Sequence, residues 1–192
     1  MAGARQFDET RVKEVALELF WRKGLHATSM LDLAEATGVQ RGSLYNAYGG
    51  KEAIFLLAFD AYAARFLTGA REALDRPDAR QALEAFFSVA IANMTGGSPA
   101  RGCLTTRTAM EVIDAEPLVR DRLQQLLDDL EATVCAALSS QSMRDRLTLP
   151  PDRAARLIVT FTRGLAVMER VHHDGDRLRE TASTLIDVLV MR

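Results

Sequence analysis

The chain has 192 residues, of which 48% are hydrophobic and 26% are charged, and its net charge is −2. This composition is ordinary for a globular protein, so disorder is not expected as the main state, and the net charge alone does not indicate a nucleic-acid partner. No apolar run of about 18 residues occurs, and the opening MAGARQFDET lacks the apolar segment of a secretory signal. A membrane span and secretion are therefore not expected. The two distant cysteines do not form a disulfide framework and favour a cytoplasmic protein.

Apolar residues recur at spacings of three and four along most of the chain, which predicts an all-α fold of about nine helices. The Gly, Ser and Pro content of 95–102 predicts a loop, whereas RPDA at 76–79 and LPPD at 149–152 are predicted to open helices. No convincing alternating strand with a hairpin turn is present. The periodic segments in chain order are 12–20, 55–66, 83–94, 123–137, 157–168 and 182–190.

Two short helices are predicted between the first and second of these segments. Ser29 and Asp32 have the spacing of a capping box, which starts a helix of about eight residues ending at Thr37. Gly38 can adopt the left-handed conformation that ends this helix, and a second helix follows over about 41–48. Two short helices joined by a glycine-containing turn are typical of a helix-turn-helix, in which the second helix enters the major groove.

The stretch ATSMLDLAEATGVQRGSLYNAYGGKEAIF contains T-S-M, D-x-A, G-V, G-S-L-Y and G-x-K-E-A in order and at fixed spacing. In this it resembles the DNA-binding segment of TetR-family transcriptional repressors. The resemblance implies a helix-turn-helix DNA-binding domain over 1–51 and a larger helical domain over 52–192 for effector binding and dimerisation. It also implies a double-stranded DNA operator, a small-molecule effector, and a homodimer formed through the helices at about 150–172 and 177–191.

Within this pattern, Tyr45 and Lys51 occupy positions where the family contacts phosphates. Arg41 can form two hydrogen bonds to guanine O6 and N7, or contact a phosphate only. Gly42 would allow the helix to approach the groove closely, whereas Gln40 is a poor N-cap where the family often has Ser or Thr. Thr28 and Ser29 are expected to cap their helix, with one of them also able to reach a phosphate. Ser43 and Asn46 can contact a base or a phosphate. The whole predicted DNA-binding set is Thr28, Ser29, Arg41, Gly42, Ser43, Tyr45, Asn46 and Lys51.

The C-terminal region carries soft and aromatic side chains on its apolar faces. Each alone is better explained by core packing, but together they suit an apolar ligand pocket with few polar groups. Arg107 and Glu111, four residues apart, form either a surface pair or the polar anchors of a pocket. The predicted ligand-binding set is Phe86, Phe87, Met94, Cys103, Met110 and Phe161.

The stretch RGCLTTRTAMEV, at 101–112, resembles a subset of TetR-family regulators that have Gly-Cys-Leu at the start of the sixth helix, some of which sense electrophiles or oxidants through this cysteine. A helix N-terminus and the nearby Arg101 and Arg107 would lower the pKa of the Cys103 thiol. The alternative is a small residue packed at a helix start. Cys135 lies in an apolar run and is expected to be inert.

No enzyme is predicted, because the chain lacks G-x-S-x-G, H-E-x-x-H and a phosphate-binding loop. Three scattered histidines and two cysteines do not form a zinc site, so no metal or cofactor is expected. The sequence therefore predicts a DNA-binding regulator. Repression of a palindromic operator, with release by a small apolar ligand or by thiol modification, is the expected mode of action.

Overall fold

The computed structural model describes residues 7–97, 100–112 and 116–191, and within these ranges it has ten helices and no strand. The predicted all-α fold is confirmed. The extra helix is a single turn between two longer helices. The helices are α1 (Glu9–Lys23), α2 (Met30–Thr37), α3 (Arg41–Tyr48), α4 (Lys51–Leu74), α5 (Ala79–Thr95), α6 (Leu104–Val112), α7 (Pro117–Leu138), α8 (Gln141–Arg144), α9 (Pro151–His172) and α10 (Gly175–Leu189).

The chain divides into two compact units. The first consists of the described residues of Met1–Ala64 and Arg107–Leu123, and the second of those of Arg65–Thr106 and Gln124–Arg192. The boundary predicted after residue 51 coincides with the start of α4, whereas the compact unit that contains α1–α3 continues to Ala64.

Aromatic side chains of α1 and α4 form the core of the first unit. The ring of Phe20 meets that of Phe55 edge to face, with centroids 5.2 Å apart, and Trp21 meets Tyr62 in the same way at 5.2 Å. Such pairs contribute about 0.5–1.5 kcal/mol beyond the burial of their area.

The helix α4 is long and apolar enough to cross a membrane by length and composition alone. In the first unit, Phe55 and Tyr62 of this helix are instead buried against aromatic residues of α1.

The second unit is built around α5, α9 and α10, which pack on one another. Aromatic side chains connect α5 to α9, where the rings of Phe87 and Phe161 are 6.0 Å apart and nearly perpendicular. The start of α5 follows Pro77, and the Asp78 side chain accepts a hydrogen bond from the backbone N–H of Gln81 at 3.0 Å. This is the N-cap that removes one unpaired donor from the first turn.

Candidate nucleic-acid interface and effector region

Local hydrogen bonds fix the turn between α2 and α3. The Ser29 hydroxyl accepts a hydrogen bond from the backbone N–H of Asp32 at 3.1 Å, and the Asp32 carboxylate accepts one from the N–H of Ser29 at 2.8 Å. Gly38 has φ of 70°, in the left-handed region, and its N–H donates to the carbonyl of Ala34. The predicted capping box and the predicted left-handed glycine are therefore both present, and together they set the direction of α3 relative to α2.

The outer face of α3 is polar and open to solvent. Leu44 is fully buried and anchors the helix, whereas Arg41, Gly42, Tyr45 and Asn46 are exposed. A Cβ atom added to Gly42 would meet no atom of the protein within 4 Å. Gln40 makes no side-chain capping hydrogen bond, as expected for a poor N-cap. Ser43, also in the predicted DNA-binding set, is half-buried.

Residues predicted to contact phosphate surround one surface cavity of about 450 Å³ in the first unit. The starts of α2 and α4 both border it, together with the exposed phenol of Tyr45. Backbone N–H groups at helix starts favour anions. Four predicted residues, Thr28, Ser29, Tyr45 and Lys51, line the cavity, and the exposed His26, which was not predicted, lines it as well.

Lys51 has internal partners in this structure. Its Nζ donates to the carbonyl oxygens of Leu25, His26 and Thr28 at 3.0, 3.1 and 3.0 Å, which uses all three donors of an ammonium group. The Thr28 side chain is 1% exposed, and its hydroxyl donates to the carbonyl of Gly24. Both side chains therefore stabilise the α1–α2 connection in this conformation, while the Ser29 hydroxyl caps α2 at the surface.

An arginine from a distant part of the sequence caps the C-terminus of α1. The guanidinium of Arg107 donates to the carbonyl oxygens of Trp21, Arg22 and Lys23 at 3.1, 3.0 and 2.9 Å. Its Nε also lies 2.7 Å from Oε1 of Glu111, so the two do form an i,i+4 pair. A cation at this position neutralises the partial negative charge of the helix end. Sequence spacing could not reveal this role, since donor and acceptors are more than 80 residues apart.

The Lys23–Asp32 ion pair joins the end of α1 to the first turn of α2. The two groups are 2.5 Å apart, and the Lys23 ammonium, followed by the hydrogen bonds from Ser29, holds the pKa of the Asp32 carboxyl well below its usual value. The α1–α2 connection is thus stabilised by three cationic side chains, those of Lys23, Lys51 and Arg107.

Predicted ligand-binding residues are distributed over several places. Phe86, Phe87 and Met94 are buried in the second unit, and Phe161 is half-buried against Phe87. Met110 is 82% exposed and belongs to the first unit.

Two concave regions of the second unit are defined by the described residues. One, of about 510 Å³, lies between α4 and α7 beside Arg71, Asp129 and Thr133. The other, of about 180 Å³, lies between α5 and α10 and is lined in part by Phe87.

Cys103 immediately precedes α6, and its side chain is 8% exposed. Its sulfur lies 2.9 Å from Oγ1 of Thr105 and 3.7 Å from Nη1 of Arg163. Burial opposes ionisation of this thiol, but the Arg163 guanidinium and the threonine hydroxyls outweigh it and hold the pKa of Cys103 below its usual value. The basic neighbour is therefore Arg163 of α9, which sequence proximity did not identify.

Apolar side chains remain exposed on the outer faces of α9 and α10. On α9, Val167, Met168 and Val171 lie within five positions of one another, and Leu157 lies 11 positions before Met168, about three helical turns, so the four share one side of the helix. Val188 continues this exposure on α10. The exposed apolar residues of α9 are Leu157, Val167, Met168 and Val171.

A short polar helix presented after a capped helix and a glycine turn is the arrangement of a helix-turn-helix DNA-binding protein. The comparisons with known proteins give the family. The profile described as bacterial regulatory proteins, tetR family, matches residues 13–58, and that described as tetracyclin repressor-like, C-terminal domain, matches residues 79–185. The chain belongs to the TetR family of DNA-binding transcriptional regulators, whose members are transcription factors and not enzymes.

Relatives match along nearly the whole chain. The uncharacterized HTH-type transcriptional regulator YezE of Bacillus subtilis is 26% identical over 193 residues, covering 98% of this chain and 100% of YezE. The HTH-type transcriptional repressor ComR of Escherichia coli is 26% identical over 187 residues, covering 94% of this chain and 88% of ComR.

Solved structures share the fold. A cysteine mutant of the TetR-family regulator CifR, complexed with 26-base-pair operator DNA, superposes with a TM-score of 0.86 at 24% identity, covering 97% of this chain and 98% of CifR. The reduced form of E. coli NemR superposes with a TM-score of 0.84 at 17% identity, covering 96% of this chain and 97% of NemR.

Proposed function

We propose that this protein is a cytoplasmic homodimeric repressor that binds a palindromic operator and is released by a small apolar ligand or by modification of Cys103. The observation that carries the DNA-binding part is the solvent-exposed polar face of α3, with Arg41, Tyr45 and Asn46 around Gly42. A polar face that the described residues leave exposed suits the major groove, which is wide enough to admit one helix.

The α3 residues divide by chemistry. Arg41 is proposed to bond the O6 and N7 of a guanine, with Asn46 and Ser43 contacting a base or a phosphate. Tyr45 is proposed to donate its phenol to a phosphate beside the cavity at the start of α4, with Ser29, Thr28 and Lys51 completing that side of the interface. Lys51 and Thr28 both donate to backbone carbonyl oxygens. A phosphate contact by either would therefore replace one of these internal hydrogen bonds by a bond to DNA.

Dimerisation is proposed through α9 and α10. Their exposed apolar residues would be buried if the same faces of two subunits met around a two-fold axis, forming a four-helix interface. The two α3 helices would then contact successive major grooves about 34–36 Å apart. A palindromic operator follows from this symmetry.

Release is proposed to act through the second unit. Phe86, Phe87, Met94 and Phe161 provide the apolar surface that a ligand would contact after local rearrangement, and Cys103 provides the alternative chemical route. Whichever is used, effector and operator must oppose each other with equal coupling free energy, because binding at the two sites is linked.

The test is selection of bound duplexes from a random DNA library, followed by affinity measurements on variants. Tyr45→Phe is expected to weaken binding to all sequences alike, and Arg41→Ala to flatten the preference at one base pair of each half-site. Arg120→Ala is the matched control, since it removes an exposed arginine of α7 in the same unit. Selection of no palindrome at low salt, or equal effects of Arg41→Ala and Arg120→Ala, would refute the proposed interface.

A further inference from the structure

The connection between α1 and α2 holds the backbone of His26 at both of its polar groups. The N–H donates to Oε2 of Glu111 at 3.5 Å, and the carbonyl oxygen accepts a hydrogen bond from Nζ of Lys51 at 3.1 Å. The carbonyl oxygens of Leu25 and Thr28 accept hydrogen bonds from the same ammonium group. These bonds fix the place of His26 without using its side chain, so a substitution of the side chain leaves them available.

The side chain of His26 is exposed and lines the cavity of about 450 Å³ at the starts of α2 and α4. In the described part of the chain, the hydrogen bonds of His26 are those of its backbone. Ser29, Tyr45 and Lys51, which are proposed to contact phosphate, line the same cavity. Two helix starts and a basic side chain around one concave surface favour an anion. The ring of His26 therefore lies where a DNA phosphate is proposed to bind.

The formal charge of this cavity depends on His26. Among the described residues that line it, Lys51 contributes one positive charge and Glu52 one negative charge, and Tyr45 is the remaining titratable group besides His26. Lysine, glutamate and tyrosine side chains ordinarily keep their charge between about pH 6 and pH 8, whereas histidine ordinarily changes its charge in that range. Protonation of His26 therefore converts a lining without net charge into one that attracts a phosphate.

Charged groups on the neighbouring elements are paired with one another. Arg107 and Glu111 of α6 are 2.7 Å apart, and Arg107 also donates to the carbonyl oxygen of Lys23 at the end of α1. The ammonium group of Lys23 is paired with the carboxylate of Asp32 on α2. Because each pair is formally neutral, the pH-dependent change of charge at this surface is that of His26.

We propose that His26 is a further phosphate-contacting residue of the operator interface, and that its protonation makes operator affinity depend on pH. This inference rests on the proposed binding of α3 in the major groove. The imidazolium N–H would donate to a phosphate oxygen beside the phenol of Tyr45. A proton that strengthens DNA binding is itself bound more tightly in the complex, so affinity rises as pH falls.

The test measures operator affinity over a series of salt concentrations at about pH 6 and at about pH 8. For the parent protein, affinity is expected to be roughly tenfold or more higher at the lower pH, because hydrogen bonds between charged groups are stronger than those of neutral groups. The slope of log K against log salt is expected to be steeper there by about 1.8, since one further phosphate is neutralised in each of two subunits.

Three variants separate the charge of His26 from other effects of pH. His26→Gln keeps a hydrogen-bonding side chain without the charge and should lose both differences. His26→Arg is charged at both pH values and should give the higher affinity and the steeper slope at both. His172→Gln is the matched control, because it removes an exposed histidine from the second unit, and it should keep both differences.

Proton uptake on binding gives an independent readout that a purely structural role of His26 would not change. Calorimetry near pH 7 in buffers with different heats of ionisation should show protons taken up when the parent binds its operator, up to about one for each subunit. This uptake should be lost in His26→Gln, while thermal melting of the variant should match that of the parent at both pH values.

Two results would overturn the role of His26 and leave the proposed function standing. One is equal operator affinity of the parent at the two pH values, and the other is a parental pH dependence in His26→Gln. Selection of no operator at low salt would instead overturn the proposed function, and this role of His26 with it.

Discussion

Replacing Lys51 by methionine separates two roles for this side chain. The structure gives its ammonium three carbonyl partners in the α1–α2 connection, and the family pattern places it beside a DNA phosphate. Hydrogen bonds to a charged group are worth about 1.5–3 kcal/mol each and are not additive. For a half-buried lysine the three together are expected to contribute roughly 2–4 kcal/mol. In a chain of this size that corresponds to a fall in melting temperature of roughly 5–15 °C.

The measurements are unfolding in urea, thermal melting, and operator affinity over a series of salt concentrations. A phosphate contact by Lys51 in both subunits would contribute about 1.8 to the slope of log K against log salt, since each neutralised phosphate contributes about 0.9. The expected outcome for Lys51→Met is a clear loss of stability together with a fall of about 1.8 in the salt slope, because the proposed phosphate contact is lost in both subunits. Lys13→Met is the matched control, because it removes one positive charge from the same unit and its ion pair in the described part of the chain is with Glu9, at 3.8 Å.

Each role can be refuted separately. An unchanged salt slope in Lys51→Met would remove Lys51 from the proposed interface. If Lys51→Met melts as the parent does while the salt slope falls by about 1.8, the carbonyl bonds add nothing and the ammonium faces DNA. Lys51→Arg gives an independent check, since it keeps the charge but presents a planar fork in place of three donors around one nitrogen. It should keep the salt slope and lose part of the stability.

Three further predictions concern the same unit. Gly42→Ala should raise stability by up to about 1 kcal/mol, because its Cβ meets no protein atom and glycine is unfavourable within a helix. It should lower operator affinity, and unchanged affinity in a binding assay would exclude close approach at Gly42. Arg107→Met should destabilise the unit by about 1–3 kcal/mol and speed amide hydrogen exchange near Gly24. Glu111→Gln, which keeps the helix cap, should have a smaller effect on both. Equal exchange rates in the two variants would contradict the capping role. Because the pKa of Asp32 is lowered on folding, its contribution to stability is complete above its unfolded pKa near 3.8 and decreases as pH falls below it. Asp32→Asn should therefore flatten the acid side of the stability profile, and an unchanged profile in acid unfolding would argue against the Lys23–Asp32 pair.

Local signals in the sequence predicted the helix-turn-helix closely. The capping box at Ser29, the left-handed Gly38 and the bounds of α2 and α3 all depend on residues within about four positions of one another, which is the range over which capping and turn preferences act. The exposed face of α3 followed from the same periodicity, because Leu44 fixes which side is buried.

The contacts of the long cationic side chains could not be predicted in this way. Lys51, Arg107 and Arg163 each bond groups between 23 and 86 residues away, and their partners are defined only once the helices have packed. Arg107 illustrates the difference, since its pairing with Glu111 was one of two readings allowed by sequence spacing, whereas its capping of α1 has no local signal. Met110 shows the same difficulty. Helical periodicity predicts which residues share one face of a helix, but not whether that face is buried or exposed.

The helix α9 combines two features that its sequence pattern did not separate. Its buried face is polar in places, with Thr162 and Glu169 fully enclosed, while Leu157 and Val171 remain exposed. A helix serving only as core would place these residues the other way round, since buried polar groups are costly unless bonded and exposed apolar groups gain nothing from solvent. The exposed apolar residues are accounted for if the outer face meets a second subunit, as proposed. On the inner side, Thr162 accepts a hydrogen bond from Arg163, which also contacts the sulfur of Cys103. Dimer formation and thiol chemistry would then depend on the same helix, so a substitution that disrupts one is expected to alter the other.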